Sequence, residues 1–274
     1  EETLFRASAA QSPRSVYVQW GLGRVLLERM NATRDPRYLA EAQEVFERAA
    51  RLLEEAKDER TDLMVSSRDF LQVNLGLAWC SIYAEDHSAA IVLCEDLARR
   101  IEEIQAQEKK AREAGVRVRE QFLDLDRVYT ALAVAQYKSN AFAEAERSFQ
   151  RALELQPSAP ETHQNLGRML ATQGRWDEAA REFEASSRLR PGHPEDRLLL
   201  AQAWQTLGRS PEAEALANEL ISELPQRPEP LVVLATGTLR RGDSGAALSF
   251  LERALALDPR NGLAWYQKAR AYLL

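Results

Sequence analysis

A catalytic or metal site is built from nucleophiles, acids and bases at chosen spacings, and this chain has few candidates. Its histidines are His87, His163 and His193, and its cysteines are Cys80 and Cys94. No histidine stands at metal-ligand spacing from another histidine, a cysteine or a carboxylate cluster. There is no glycine-rich phosphate loop, no Cys-x-x-Cys and no Ser or Cys nucleophile motif. Adjacent carboxylates such as Glu102 and Glu103 fit a solvated helix face. The expectation is a non-enzymatic protein with no catalytic residue, no metal ligand and no cofactor. Two cysteines are too few for a disulfide scaffold. They read as buried thiols. The alternative is one disulfide tying a helix pair, which would imply an oxidising compartment.

What positions side chains here is a repeat. Prolines fall at Pro157, Pro191, Pro225 and Pro259, in steps of 34. Asn140, Gly174, Gly208 and Gly242 keep the same period, as do Ala145, Ala179, Ala213 and Ala247. Each register has a physical reason. A first helix must stop and reverse where the chain tolerates positive φ, which Gly does and Asn nearly does. Asp243 and Ser210 then read as N-caps, with Pro211 at the first helical position. The prolines end the second helix. The alanines mark a close helix crossing. Four helix pairs are expected over 126–159, 160–193, 194–227 and 228–261, with a fifth first helix from Gly262.

These residues carry a family pattern. One copy reads His163-Gln164-Asn165-Leu166-Gly167, then Leu170, Ala179, Phe183 and Pro191; another reads Tyr129, Leu132, Ala133, Ala145, Phe149, Ala152 and Pro157. The third departs, with Arg197 at the opening aromatic position and Ala217 at the usual Phe position. The fourth keeps Leu231, Leu234, Ala235, Leu251 and Ala254, and the fifth opens with Trp265, Ala269 and Tyr272. The chain resembles a tetratricopeptide repeat (TPR) array over about half its length. The resemblance implies an all-α fold, a TPR-type α-solenoid in which antiparallel helix pairs wind a right-handed superhelix. It makes His163 a core-type histidine.

The N-terminal half is more divergent. Residues 1–12 read as a disordered segment. Residues 13–115 read as divergent TPR-like pairs with long helices. A helix from near Pro13 breaks at Asn31–Pro36, and the next, capped by Asp35, carries Ala42, Phe46 and Ala49 at second-helix spacing. Asp69 to Trp79 copies a first helix. Its partner, from Asp86–His87, runs on through Leu97, Ile101 and Ile104 to about Arg112. Its polar far end is either a solvated extension or a place where a partner packs. Ala114-Gly115 reads as a break, followed by a helix carrying Val118, Phe122 and Leu125. Residues 116–274 are the regular array. One continuous solenoid is expected, with two subdomains meeting near Gly115 as the alternative.

At 274 residues, 45% of them hydrophobic, the chain could hold two ordinary domains or one array. Only 12 are glycine, and no alternating strand pattern appears, which favours helix. The net charge of −6 argues against nucleic acid as the main partner. No apolar run reaches membrane-spanning length, so direct membrane insertion is not expected. The N-terminus has no signal-peptide core, and a cytoplasmic location is the expectation.

The resemblance also says where a partner would bind. In TPR proteins the first helices of successive repeats line a concave groove. Its positions here include Val134 and Tyr137, Gln164 and Arg168, Leu198, Gln202 and Gln205, Val232, Thr236 and Leu239, and Tyr266 and Arg270. The mixture suits an extended peptide or a partner helix held by apolar anchors. The basic clamp that some TPR proteins use for a C-terminal carboxylate falls on Thr130, Gln164 and Leu198, which disfavours that variant. The expected role is a protein–protein scaffold or adaptor. Two alternatives stay open. The chain is the interaction region of a larger protein, or it self-associates through Trp265, Ala269 and Tyr272, whose own second helix is missing.

Overall fold

The computed structural model describes residues 1–58, 67–116 and 124–273. Among the described residues the regular structure is helical throughout, in fourteen α-helices. The chain divides into two compact units, Glu1–Pro157 and Ser158–Leu274. The division falls inside the regular array and not at Gly115, because the helices on either side of Gly115 pack against each other.

The first unit holds α1 (Glu2–Gln11), α2 (Val16–Thr33), α3 (Pro36–Asp58), α4 (Ser67–Tyr83), α5 (His87–Glu113), α6 (Leu125–Lys138) and α7 (Phe142–Leu155). Helices α2 and α3, α4 and α5, and α6 and α7 are the pairs, and the first helices α2, α4 and α6 lie side by side. Residues 1–12, expected to be disordered, form α1. Phe5 packs where a Cβ on Gly21 would stand, 2.2 Å from that position, and Arg6 donates to both oxygens of Glu41. The second-helix spacing of Ala42, Phe46 and Ala49 is buried as expected. Phe46 is wedged between Gly23 and Gly76, since a Cβ on either would meet its ring at 2.6 and 2.4 Å. Helix α5 has its N-cap at Asp86, whose carboxylate accepts from the Ala89 amide at 3.0 Å. Beyond it Gly115 turns with φ +78. Val118 and Phe122 lie outside the described residues; Leu125 opens α6 and is buried.

The second unit holds α8 (Pro160–Thr172), α9 (Trp176–Leu189), α10 (Pro194–Thr206), α11 (Ser210–Glu223), α12 (Glu229–Arg240), α13 (Ser244–Leu257) and α14 (Gly262–Ala271). The pairs are α8 with α9, α10 with α11, and α12 with α13; α14 packs on both α12 and α13. The turn registers hold. Gly174, Gly208 and Gly242 have φ of +75, +82 and +80, and Asn140 has +63. Asp243 caps α13, accepting from the Ala246 amide at 2.9 Å. Ser210 does not cap α11. It is the first helical residue, Arg209 stands at the cap, and the Ser210 hydroxyl instead accepts from Arg240 at 3.3 Å.

The inside of a pair is a matched set of large and small side chains. A Cβ on Gly167 would meet Phe183 at 2.6 Å. In the third pair Ala217 replaces the phenylalanine and is fully buried with Ala201; in the fourth, Leu251 packs with Ala235. The departures in the third copy are therefore a change of volume, not a loss of the pair. Each helix buries a stripe that it could not bury alone.

Candidate partner-binding face

Each first helix buries one side on its own second helix and presents another side as part of a shared face. In the second unit α10, α12 and α14 lie side by side, and α8 joins α10 through a hydrogen bond from Gln164 to Asp196. The positions that the repeat assigns to a partner divide by depth. Leu198, Val232 and Leu239 are buried and support the face from beneath; Gln205 is buried too. Gln164, Gln202 and Thr236 are half-buried, and Arg168, Tyr266 and Arg270 are exposed. Tyr266 is 60% exposed, with the Arg270 guanidinium 6.0 Å from its ring centre. Arg270 also donates to Gln267 at 3.0 Å. The Thr236 hydroxyl is turned back on its own helix, donating to the Val232 carbonyl at 2.8 Å. Val134 and Tyr137 belong to the first unit. Val134 is buried, and Tyr137 is half-buried with its ring centre 6.1 Å from that of Phe142.

A polar knot that sequence reasoning missed stiffens this unit. Asp196, in the first turn of α10, is fully buried. Arg190, at the end of α9, donates to its two oxygens at 3.0 and 3.1 Å, and Gln164 of α8 donates to one of them. Arg190 also bridges to Glu161 at 2.7 Å. A bidentate guanidinium is the geometry that can hold a buried carboxylate. The available signal was the repeat itself: Asp196 shares its register with Val128, Thr162, Pro230 and Ala264, all buried. Gln164 is thus committed to holding α10 as well as to lining the face. Gln205 is the reverse case. It is buried, with no partner among the described residues for either side-chain polar atom.

Of the residues first considered for chemistry, His163, Cys80 and Cys94 are packed between helices. His163 is held by Glu182 at 2.7 Å within its own pair. Both cysteines are free and buried, and burial pushes each thiol up to about 12. Cys80 packs with Leu22, Leu26 and Phe46, so it faces the preceding pair. Among the described residues no group of His, Cys, Asp and Glu could hold a metal ion, and no helix is long and apolar enough to cross a membrane. An open depression of about 420 Å³ in the first unit is lined by Leu53, Glu54, Phe70 and Asn74 among others, and none of the expected partner residues reaches it.

Comparison with known proteins agrees with this geometry. Two family models, both described as tetratricopeptide repeat, match residues 130–194 and 170–232. No curated protein sequence matches the chain. Among solved structures, a chain of the APC/C hetero-tetramer Cut9–Hcn1 is similar with a TM-score of 0.69 at 15% identity, over 98% of this chain and 45% of that one. The chain thus spans less than half the length of that relative. A MamA structure, MSR-1 form C2, is similar with a TM-score of 0.52 at 18% identity, over 70% of this chain and 98% of that one. At such identities these likenesses speak to the fold. With the 34-residue registers turning at positive-φ residues and two repeat models matching over 130–232, that stretch of the chain carries tetratricopeptide repeats.

Proposed function

We propose that the chain is a non-enzymatic scaffold or adaptor that binds a peptide or helix of a protein partner on its first-helix face. A general protein-interaction role goes with the repeat family. The particular face rests on one observation: on α8, α10, α12 and α14 side chains able to hydrogen-bond or stack stand at the same register, as Arg168, Gln202, Thr236 and Arg270. Such a ladder suits a partner that meets it residue after residue. Val134 holds the corresponding register in the first unit, Tyr137 shares the register of Gln205 and Leu239, and both belong to the same reading.

The test is site-specific photo-cross-linking in cells. A photoreactive phenylalanine analogue is placed at Gln202 or Thr236, and at the exposed second-helix positions Glu184 and Asn218 as controls. Adducts at the first two and none at the controls are expected. Adducts only at the controls would move the site to the other face.

One observation favours a second contact. Trp265 on α14 and Tyr272 at its C-cap are 53% and 67% exposed, whereas Leu231 and Thr238, one repeat earlier, are buried. Self-association through this face would cover them. Sedimentation would find a mass above the monomer, lowered by Trp265→Ala; a concentration-independent monomer would reject it.

A further inference from the structure

We infer that the partner segment bound by the second unit is acidic. The inference rests on the first-helix reading above and specifies the chemistry of what binds there.

Charge in this unit is sorted by helix. The acidic residues of the first helices are Glu161, Glu195, Asp196 and Glu229, all in first turns, where they match the positive end of the helix. Beyond the first turn α8, α10, α12 and α14 carry no carboxylate at all. Their charged residues there are basic. The second helices α9 and α11 are rich in Asp and Glu along their length. A chain with a net charge of −6 thus confines the carboxylates of these four helices to their first turns.

The basic residues fall into two groups. Arg197 and Lys268 turn toward second helices and are paired there: Arg197 with Glu219 at 2.8 Å and Glu223 at 2.7 Å, and Lys268 with Glu252 at 3.6 Å. Arg168 and Arg270 are exposed at one register of the first helices, and Arg240, the last residue of α12, is exposed and reaches across to Ser210 at the start of α11. The hydrogen-bond partners of Arg240 and Arg270 are neutral, Ser210 and Gln267. A planar guanidinium with a neutral neighbour keeps donors for an incoming carboxylate. Gln202 and Thr236 lie between the arginines in the same register, and Tyr266 supplies apolar area. The ladder alternates charge, amide and hydroxyl, which suits a peptide with spaced carboxylates. Phosphodiesters are disfavoured by the negative charge of the whole chain and by the absence of a run of stacking aromatics on the ladder.

The experiment is selection of a random linear-peptide library on the full chain, followed by fluorescence-anisotropy titration of the selected peptides. The expected result is enrichment in Asp and Glu over the input library. The combined variant Arg168→Gln, Arg240→Gln and Arg270→Gln should weaken those peptides about tenfold or more, and added salt should weaken them further. Circular dichroism checks its fold, and Arg270→Gln alone serves if the triple variant unfolds. Selected peptides that are neutral or basic, yet lost on Gln202→Ala with Tyr266→Ala, would overturn the acidic inference and leave the first-helix reading standing. Peptides indifferent to both variants, or no enrichment, would overturn both. Oligothymidylate binding as tightly as the acidic peptides would overturn it in favour of nucleic acid.

Discussion

At the residue scale the fold depends on backbone freedom and on matched volumes. Gly208 turns with φ +82 and has only the tip of Arg240, 3.9 Å away, near where a Cβ would stand. Gly208→Val therefore tests backbone strain almost alone, and urea unfolding should show a loss of roughly 1 kcal/mol or more. Gly167→Ala tests the opposite case, because its Cβ would enter the Phe183 ring space. Overpacking of that kind costs about 1–3 kcal/mol. Gln205 should respond the other way. Its buried amide has no partner among the described residues, and Leu239 occupies the same register one repeat on. Gln205→Leu should stabilise by about 1 kcal/mol, since an unsatisfied buried polar group is replaced by an apolar one. Destabilisation by that variant would mean that Gln205 has a partner. The thiols give a pH test. Folding raises both toward about 12. Their contribution is fully present below the unfolded thiol value of about 8.5 and is lost as pH rises toward the folded one. Neither cysteine should react with a thiol reagent at neutral pH until the chain is denatured, when both should. Fast labelling of the native protein would contradict their burial.

At the element scale most boundaries were legible, because a helix stop needs a particular residue type. Asn140, Gly174, Gly208 and Gly242 gave the turns, and Asp243 gave a cap. Other stops carry no such mark. Arg34 and Glu85 take φ of +59 and +63 without being Gly or Asn, and the strain is held by the packing of the helices they join. Helix α1 was illegible for a related reason. It has no fully buried residue and is held by Phe5 on Gly21 and by Arg6 on Glu41, contacts distant in sequence. The second-helix spacing of Ala42, Phe46 and Ala49 recurs in α5 as Ala90, Cys94 and Leu97, with a cysteine in the large slot. The Asp196 knot was hidden because one charged residue breaks a register of small or apolar ones. Removing the carboxylate should strand Arg190. Asp196→Ala is expected to destabilise at the low end of the roughly 3–5 kcal/mol typical of a broken buried pair, because Arg190 keeps Glu161 and some solvent. Asp196→Asn should lose less. Equal, negligible losses in calorimetry would show that the knot contributes nothing to joining α9 and α10.

At the scale of the whole molecule, a net charge of −6 coexists with first helices α8, α10, α12 and α14 that carry no carboxylate past their first turns. The ladder positions were legible from the repeat, but their depth was not. Leu198 and Leu239 sit beneath the face and Tyr266 and Arg270 stand on it, because burial depends on the neighbouring pair and not on the register alone. Binding energy concentrates in exposed aromatics and arginines that become buried in a complex. The most direct measurement is therefore the affinity of a partner segment, recovered through cross-links at Gln202, for the wild type and for Tyr266→Ala with Arg270→Ala. Both side chains are exposed, so the variant should keep its helical circular dichroism. Isothermal titration should show a loss on the order of 2 kcal/mol if these residues anchor the partner. Unchanged affinity in the folded variant would contradict the assignment of this face as the working surface.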